Sequence, residues 1–192
     1  MSGETLKMLA FTGMPASGKS VAVQIAKEKN IPVIRMGDAV WEETKKQGFK
    51  LGDKNVGCVA NSMREKYGND IWAQRTIEKI KLLHKTDNLV IDGIRNREEI
   101  DFFKKELGSD FVVIAIHASD ETRKKRVLAR GRKDDSKEIK DIEERDRREL
   151  GWGLGEVIIS ADITILNEGS IDEFQDKIRK TLDEIQNGSP QK

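Results

Sequence analysis

Short apolar runs alternate with longer amphipathic stretches along the whole chain. Runs rich in β-branched and large aliphatic residues predict strands at 8–12, 32–35, 89–92, 111–117 and 162–166. Apolar residues at helical spacing predict helices near 19–29, 38–47, 54–67, 70–83, 97–107, 120–130, 137–150 and 171–185. In the first of these helices Val21, Ala22 and Ile25 are expected to face inward. The strand runs are nearly continuous in apolar character rather than alternating, as in parallel strands covered on both faces. The expected fold is therefore α/β, a mostly parallel five-stranded sheet with helices on both sides. Ligands of such sheets bind beyond the carboxyl ends of the strands, so those ends are where chemistry is to be sought.

At 192 residues the chain is long enough for one domain with a full core. Charged and hydrophobic residues each make up 36%, and the formal net charge is only +1. That balance argues against nucleic acid or a membrane surface as a general partner. The single cysteine, Cys58, rules out an intrachain disulfide and a cysteine metal cluster. No apolar run approaches the roughly 18 residues of a spanning helix, and "MSGETLK" lacks a signal-peptide core, so a cytoplasmic location is expected.

The first strand runs into "FTGMPASGKS", which matches G-x-x-x-x-G-K-[ST] at Gly13, Gly18, Lys19 and Ser20. The two glycines permit backbone angles closed to other residues, so that successive N–H groups of Met14, Pro15, Ala16 and Ser17, proline excepted, can turn toward a phosphate. The helix that follows directs its positive end to the same spot. Lys19 is placed for the outer phosphates and the Ser20 hydroxyl for Mg²⁺, which makes ATP with Mg²⁺ the expected ligand.

The third strand ends in "VIDGIR". Asp92 at that end can serve the metal that Ser20 ligates, and Arg95 carries a planar fork suited to phosphate. The same residues would also fit a plain strand-to-helix turn with Asp92 as a cap. After the second strand, "MGDAV" places Asp38 as N-cap of the next helix, a contact to the acceptor, or both. Arg64 and Arg75, within an insert at 37–85, either cover a second substrate or are solvated helix charges. Residues 120–150 hold 12 Lys/Arg and 10 Asp/Glu, too polar to bury much surface of their own, and read as a mobile flap over 120–156. Its Arg126, Arg130, Arg132 and Arg145 suit stabilisation of a transferring phosphoryl group, or else lace a solvated helix pair with ion pairs. Between them lie the core segments 6–36, 86–119 and 157–186.

"GMPASGKS", "MGDAV", "VIDGIR", "RGRKDD" and "ADITILNEGS", in this order, resemble the adenylate kinase group of nucleoside monophosphate kinases. In particular the chain resembles a mainly archaeal family described as adenylate-kinase-related; the likeness covers nearly the whole chain and implies a single phosphate-loop domain whose five-stranded parallel sheet has the order 2-3-1-4-5. It implies an ATP site at 13–20, a monophosphate site opened by Asp38, a metal and acceptor-phosphate turn at Asp92 and Arg95, and lid arginines at 126, 130, 132 and 145. The last segment is also similar to dephospho-coenzyme A kinases, which implies that Asn167 borders the adenine. Two departures count against AMP as the acceptor: Trp41 stands where adenylate kinases carry an arginine, and the turn at 92–95 is one residue shorter. The expected activity is transfer of the ATP γ-phosphoryl group to a nucleoside monophosphate or related small phosphate-bearing acceptor. A nucleotide-dependent switch or ATPase without such an acceptor, or a dephospho-coenzyme A kinase-like activity, are the alternatives. "ELGWGLGEVI", with Trp152 between glycines, reads as a hinge, an acceptor contact or packing.

Overall fold

The computed structural model describes residues 7–82, 88–108, 111–130 and 139–187. Five parallel strands, β1 (Lys7–Thr12), β2 (Val33–Arg35), β3 (Asn88–Asp92), β4 (Phe111–His117) and β5 (Ile163–Leu166), pair in the order β2-β3-β1-β4-β5. This is the order expected from the sequence. Around the sheet stand α1 (Lys19–Glu28), α2 (Met36–Lys46), α3 (Asp53–Tyr67), α4 (Ile71–Lys81), α5 (Arg97–Leu107), α6 (Asp120–Arg130), α7 (Ile139–Gly151), α8 (Leu154–Ile159) and α9 (Ile171–Gln186).

Side chains of successive strand residues point to opposite faces, and the sheet builds two cores from that alternation. Met8 and Ala10 of β1 join Leu89, Ile91, Phe111 and Val113 beneath α2, α3, α4 and α5, where Trp72 and Phe103 fill the space. Leu9 and Phe11 join Val90, Ile114 and Ile116 against α1 and α9, with Phe174, Ile178 and Leu182 from the last helix. In α1 the buried set is Ala22, Val23, Ile25 and Ala26, while Val21 is only partly covered.

Two local expectations need correction. The N-cap of α2 is Arg35, and Asp38 sits inside the first turn with no capping bond, 3.8 Å from the Arg35 guanidinium. An acidic residue there still favours the helix dipole, which is why the sequence signal resembles a cap. The segment around Trp152 contains a six-residue helix, α8, entered through Gly153 at φ 102 and packed by Leu154 and Val157. Six residues, one of them Gly155, are too few to show helical periodicity.

Candidate phosphate-binding site

β1 delivers the loop at 13–20 to the carboxyl edge of the sheet. Gly13 takes φ 141 and Gly18 φ 116, and Ala16 is also left-handed at φ 62. Neither glycine has room for a side chain: a Cβ at Gly13 would strike the Ile116 carbonyl oxygen, and one at Gly18 the Asn167 amide and the Phe174 ring. The loop is thus seated on β4 and on the C-terminal β5–α9 unit. Asn167 donates from Nδ2 to the Ser17 carbonyl (2.8 Å) and from its backbone to His117 (2.8 Å). Its side-chain oxygen accepts from Arg126 at 3.1 Å, as its carbonyl does at 3.0 Å. Asn167 therefore braces the loop.

Lys19 folds back over the loop, Nζ donating to the carbonyls of Gly13 (2.5 Å) and Met14 (3.0 Å). Burial and the neighbouring Arg95 charge lower its pKa to about 7, against the opposing pull of Glu149 and Asp92. The Ser17 hydroxyl is buried without a hydrogen-bond partner, and Ser20 opens α1 exposed to solvent. An ammonium held on carbonyls, a cradle closed to side chains and an orphaned hydroxyl fit a polyphosphate.

The turn after β3 lies directly alongside. Phe11 pairs with Asp92, Gly93 N–H donates to the Phe11 carbonyl (3.1 Å), and Thr12 Oγ1 donates to the Ile94 carbonyl (3.0 Å). Gly93 makes the corner at φ 107. Asp92 does not cap α5; Asn96 does, accepting from Glu99 N–H. Asp92 Oδ1 is buried with no hydrogen-bond partner, a costly state for a carboxylate unless a cation completes it. Asp92 and the Ser20 hydroxyl are oxygen donors of the kind that Mg²⁺ takes. Among the described residues no group of three or more His, Cys, Asp or Glu is placed to hold a metal by itself.

Arg95 points into the same region, its Nε 2.8 Å from Oε2 of Glu149. Glu149, a buried residue of α7, also accepts from Arg145 Nε at 3.1 Å. Burial would raise its pKa, but Arg95, Arg145 and Lys19 outweigh that and hold it down to about 2. Lys19, Arg95 and Arg145 thus converge around one carboxylate that the sequence reading did not single out.

Of the other expected residues, Arg64 is drawn inward. It is 7% exposed, pairs with buried Glu99 at 2.9 Å and stacks on Trp152 at 4.4 Å, so it does not face a second substrate. Glu99 in turn accepts from the Arg95 backbone N–H at 2.7 Å, which ties this pair to the turn. Arg75 lies apart, in a cavity between α2 and α4 with Glu42, Glu78 and Lys79. The Arg130 side chain and the whole of Arg132 fall outside the described residues.

Two further residues join the site's surroundings. Arg123, 2% exposed, donates to the Pro15 carbonyl (3.1 Å) and to Asp146 (3.0 and 2.6 Å), and contacts Asp120, clamping the loop to α6 and α7. Asp53 at the start of α3 receives Arg148 through both oxygens (2.9 and 2.7 Å) and lies 3.3 Å from Arg145. The i,i+3 relation of Arg123 to Arg126 was the available signal for the first; nothing local marked Asp53 or Glu149.

Residues 12–143 match the AAA domain family. A UPF0200/UPF0201 protein of Archaeoglobus fulgidus is 48% identical over 92% of this chain, which spans 55% of that protein's length. A UPF0200 protein of Methanosarcina barkeri is 42% identical over 92% of this chain and 95% of its own. Among solved structures, a gluconokinase from Sinorhizobium meliloti superposes with a TM-score of 0.57 at 15% identity, over 96% of each chain. The fold is that of P-loop kinases.

Proposed function

The chain belongs to the UPF0200 family, and from the seating of its metal turn against its phosphate loop we propose that it is an ATP- and Mg²⁺-dependent phosphotransferase. Its acceptor is a nucleoside monophosphate or a related small phosphate-bearing molecule. The observation that carries this reading is the convergence of Lys19 and Arg95 across the edge where β1 and β3 end, beside the orphaned oxygen of Asp92. A loop that only binds nucleotide needs Lys19; the guanidinium beside it supplies a second phosphate ligand.

In this reading 13–20 and Asn167 hold the nucleotide, and Ser20 and Asp92 hold Mg²⁺, which withdraws charge from the transferring group. Arg95 holds the acceptor phosphate. Asp38, in the first turn of α2, borders the acceptor within the insert 37–85, and Arg126, Arg130, Arg132 and Arg145 belong to the lid at 120–156. The core is 6–36, 86–119 and 157–186. Positioning and electrostatics do most of the work in such transfers, so arginines that close on the site matter more than any single proton acceptor.

One observation favours the competing reading, a nucleotide-dependent switch or ATPase: Arg64, an expected acceptor ligand, is committed to Glu99. A screen of nucleoside monophosphates and dephospho-coenzyme A with ATP and Mg²⁺ separates the two. Acceptor-dependent ADP release that is lost in Lys19→Ala supports the kinase. Nucleotide hydrolysis indifferent to every acceptor supports the switch. Unchanged ATP affinity and turnover in Lys19→Ala would dispose of both.

A further inference from the structure

Glu149 is the unusual group of the site. It is a buried carboxylate with no place in either hydrophobic core, set at the mouth of a loop built for anions. Its neighbours are cationic: Arg95 Nε at 2.8 Å, Arg145 Nε at 3.1 Å, and the Lys19 charge beyond. Yet the seat is imperfect. Oε2 lies within ion-pair distance of Arg95 but has no hydrogen bond aimed at it, while Arg95 spends one N–H on its neighbouring carbonyl of Ile94 (3.1 Å).

We infer that Arg95 and Arg145 form a subsite for one tetrahedral oxyanion, a phosphoryl group, and that the Glu149 carboxylate fills it as an internal substitute until that anion arrives. A carboxylate offers two oxygens and one charge. A phosphoryl group offers three oxygens and up to two charges, and two guanidinium forks satisfy it better. The exchange is therefore favourable, and in the ligand-free chain Glu149 gives the two partly buried guanidinium groups a shared counter-charge, to which Asp53 adds at Arg145. It also sets a selectivity. A ligand whose only anion lies in the cradle at 13–20 leaves Glu149 in place, whereas one with a further phosphoryl group reaching Arg95 and Arg145 displaces it.

Displacement has a mechanical side. Glu149 follows Arg148, whose guanidinium grips Asp53 of α3, so a shift of this part of α7 is felt at the start of α3. Filling the subsite thereby reaches the insert through covalently adjacent residues rather than through the sheet.

The inference rests on the reading of 13–20 as a phosphate site, but it does not require that any group be transferred. The probe is inorganic tripolyphosphate, titrated by calorimetry without acceptor. Glu149→Gln should bind it about tenfold or more tightly than the wild-type chain, since the internal competitor is gone. Glu149→Asp, which keeps the charge, should stay near wild type, and Arg95→Gln added to Glu149→Gln should remove the gain. Equal or weaker binding by Glu149→Gln overturns the inference and leaves Glu149 a positioning residue. Should that variant not fold, a crystal structure of the wild-type chain with tripolyphosphate decides: phosphate oxygens on Arg95 with Glu149 withdrawn support it, and Glu149 still on Arg95 beside the bound anion overturns it. Failure of Lys19→Ala to alter tripolyphosphate binding would count instead against the phosphate loop itself.

Discussion

At Asp92 a single oxygen atom carries the argument for metal. Asp92→Asn keeps the shape of the turn, whose corner is made by Gly93 and whose fastening is Thr12 to Ile94, but removes the charge. Mg²⁺-dependent turnover should fall roughly 10–100-fold, while binding of metal-free nucleotide changes little. Equal loss of both, measured side by side, would mark Asp92 as merely structural. The residues at 13–20 were legible because their constraints are local: two positive-φ glycines, a lysine and a hydroxyl within eight positions. Glu149 was not, because its decisive partner Arg95 is distant in sequence and it stands among 22 charged residues of similar appearance. A charge pattern does not announce which of its members is buried.

Among the helices, α3 and α7 are joined end to side. Arg148 Nη2 donates to both oxygens of Asp53, Trp152 Nε1 donates to Asn61 (3.2 Å), and the guanidinium groups of Arg64 and Arg148 lie 4.4 and 5.8 Å from the centre of the Trp152 ring. A Cβ at Gly57 would come within 2.7 Å of the Arg148 guanidinium, which would have to shift to admit it. Asp53→Asn and Arg148→Gln should each destabilise the fold, and the double variant by less than their sum. A partly exposed ion pair in which one nitrogen serves both carboxylate oxygens implies a coupling of about 1 kcal/mol or less, read from denaturant unfolding of all four chains. Full additivity would mean that the pair contributes nothing together. The sequence located α3 and α7 from their apolar spacing to within a few residues, and it named Trp152 as a candidate contact. It could not pair the helices, since the clasp is built from polar groups whose partners lie 91 to 95 positions away.

For the molecule as a whole, two cores on opposite faces of one sheet supply the stability; the alternation of strand and helix made the parallel sheet legible, while its strand order needed the phosphate-loop motif and the family resemblance as well. The acid response should carry the mark of Glu149. Its pKa in the folded chain, about 2, is below the ordinary 4.5, so its ionisation stabilises the fold above pH 4.5 and that contribution is lost as pH falls toward 2. The difference corresponds to roughly 3 kcal/mol at most. Unfolding free energies of wild type and Glu149→Gln, measured from pH 5 down, should therefore converge, the wild type falling more steeply. Parallel curves would mean that Glu149 is not held ionised in the fold.

The brace on the phosphate loop comes from the far end of the chain. Asn167 and Phe174 close on Gly18 from some 150 positions downstream. On the ribosome the loop waits while the roughly 150 residues between it and its brace are made. At about 5–20 residues per second that wait is on the order of ten to thirty seconds. During it the nascent chain has a glycine-rich loop and no back wall for it. A ligand of the loop can thus stabilise the chain only once β5 and α9 have emerged, and a product truncated before β5 would carry the motif without its back wall.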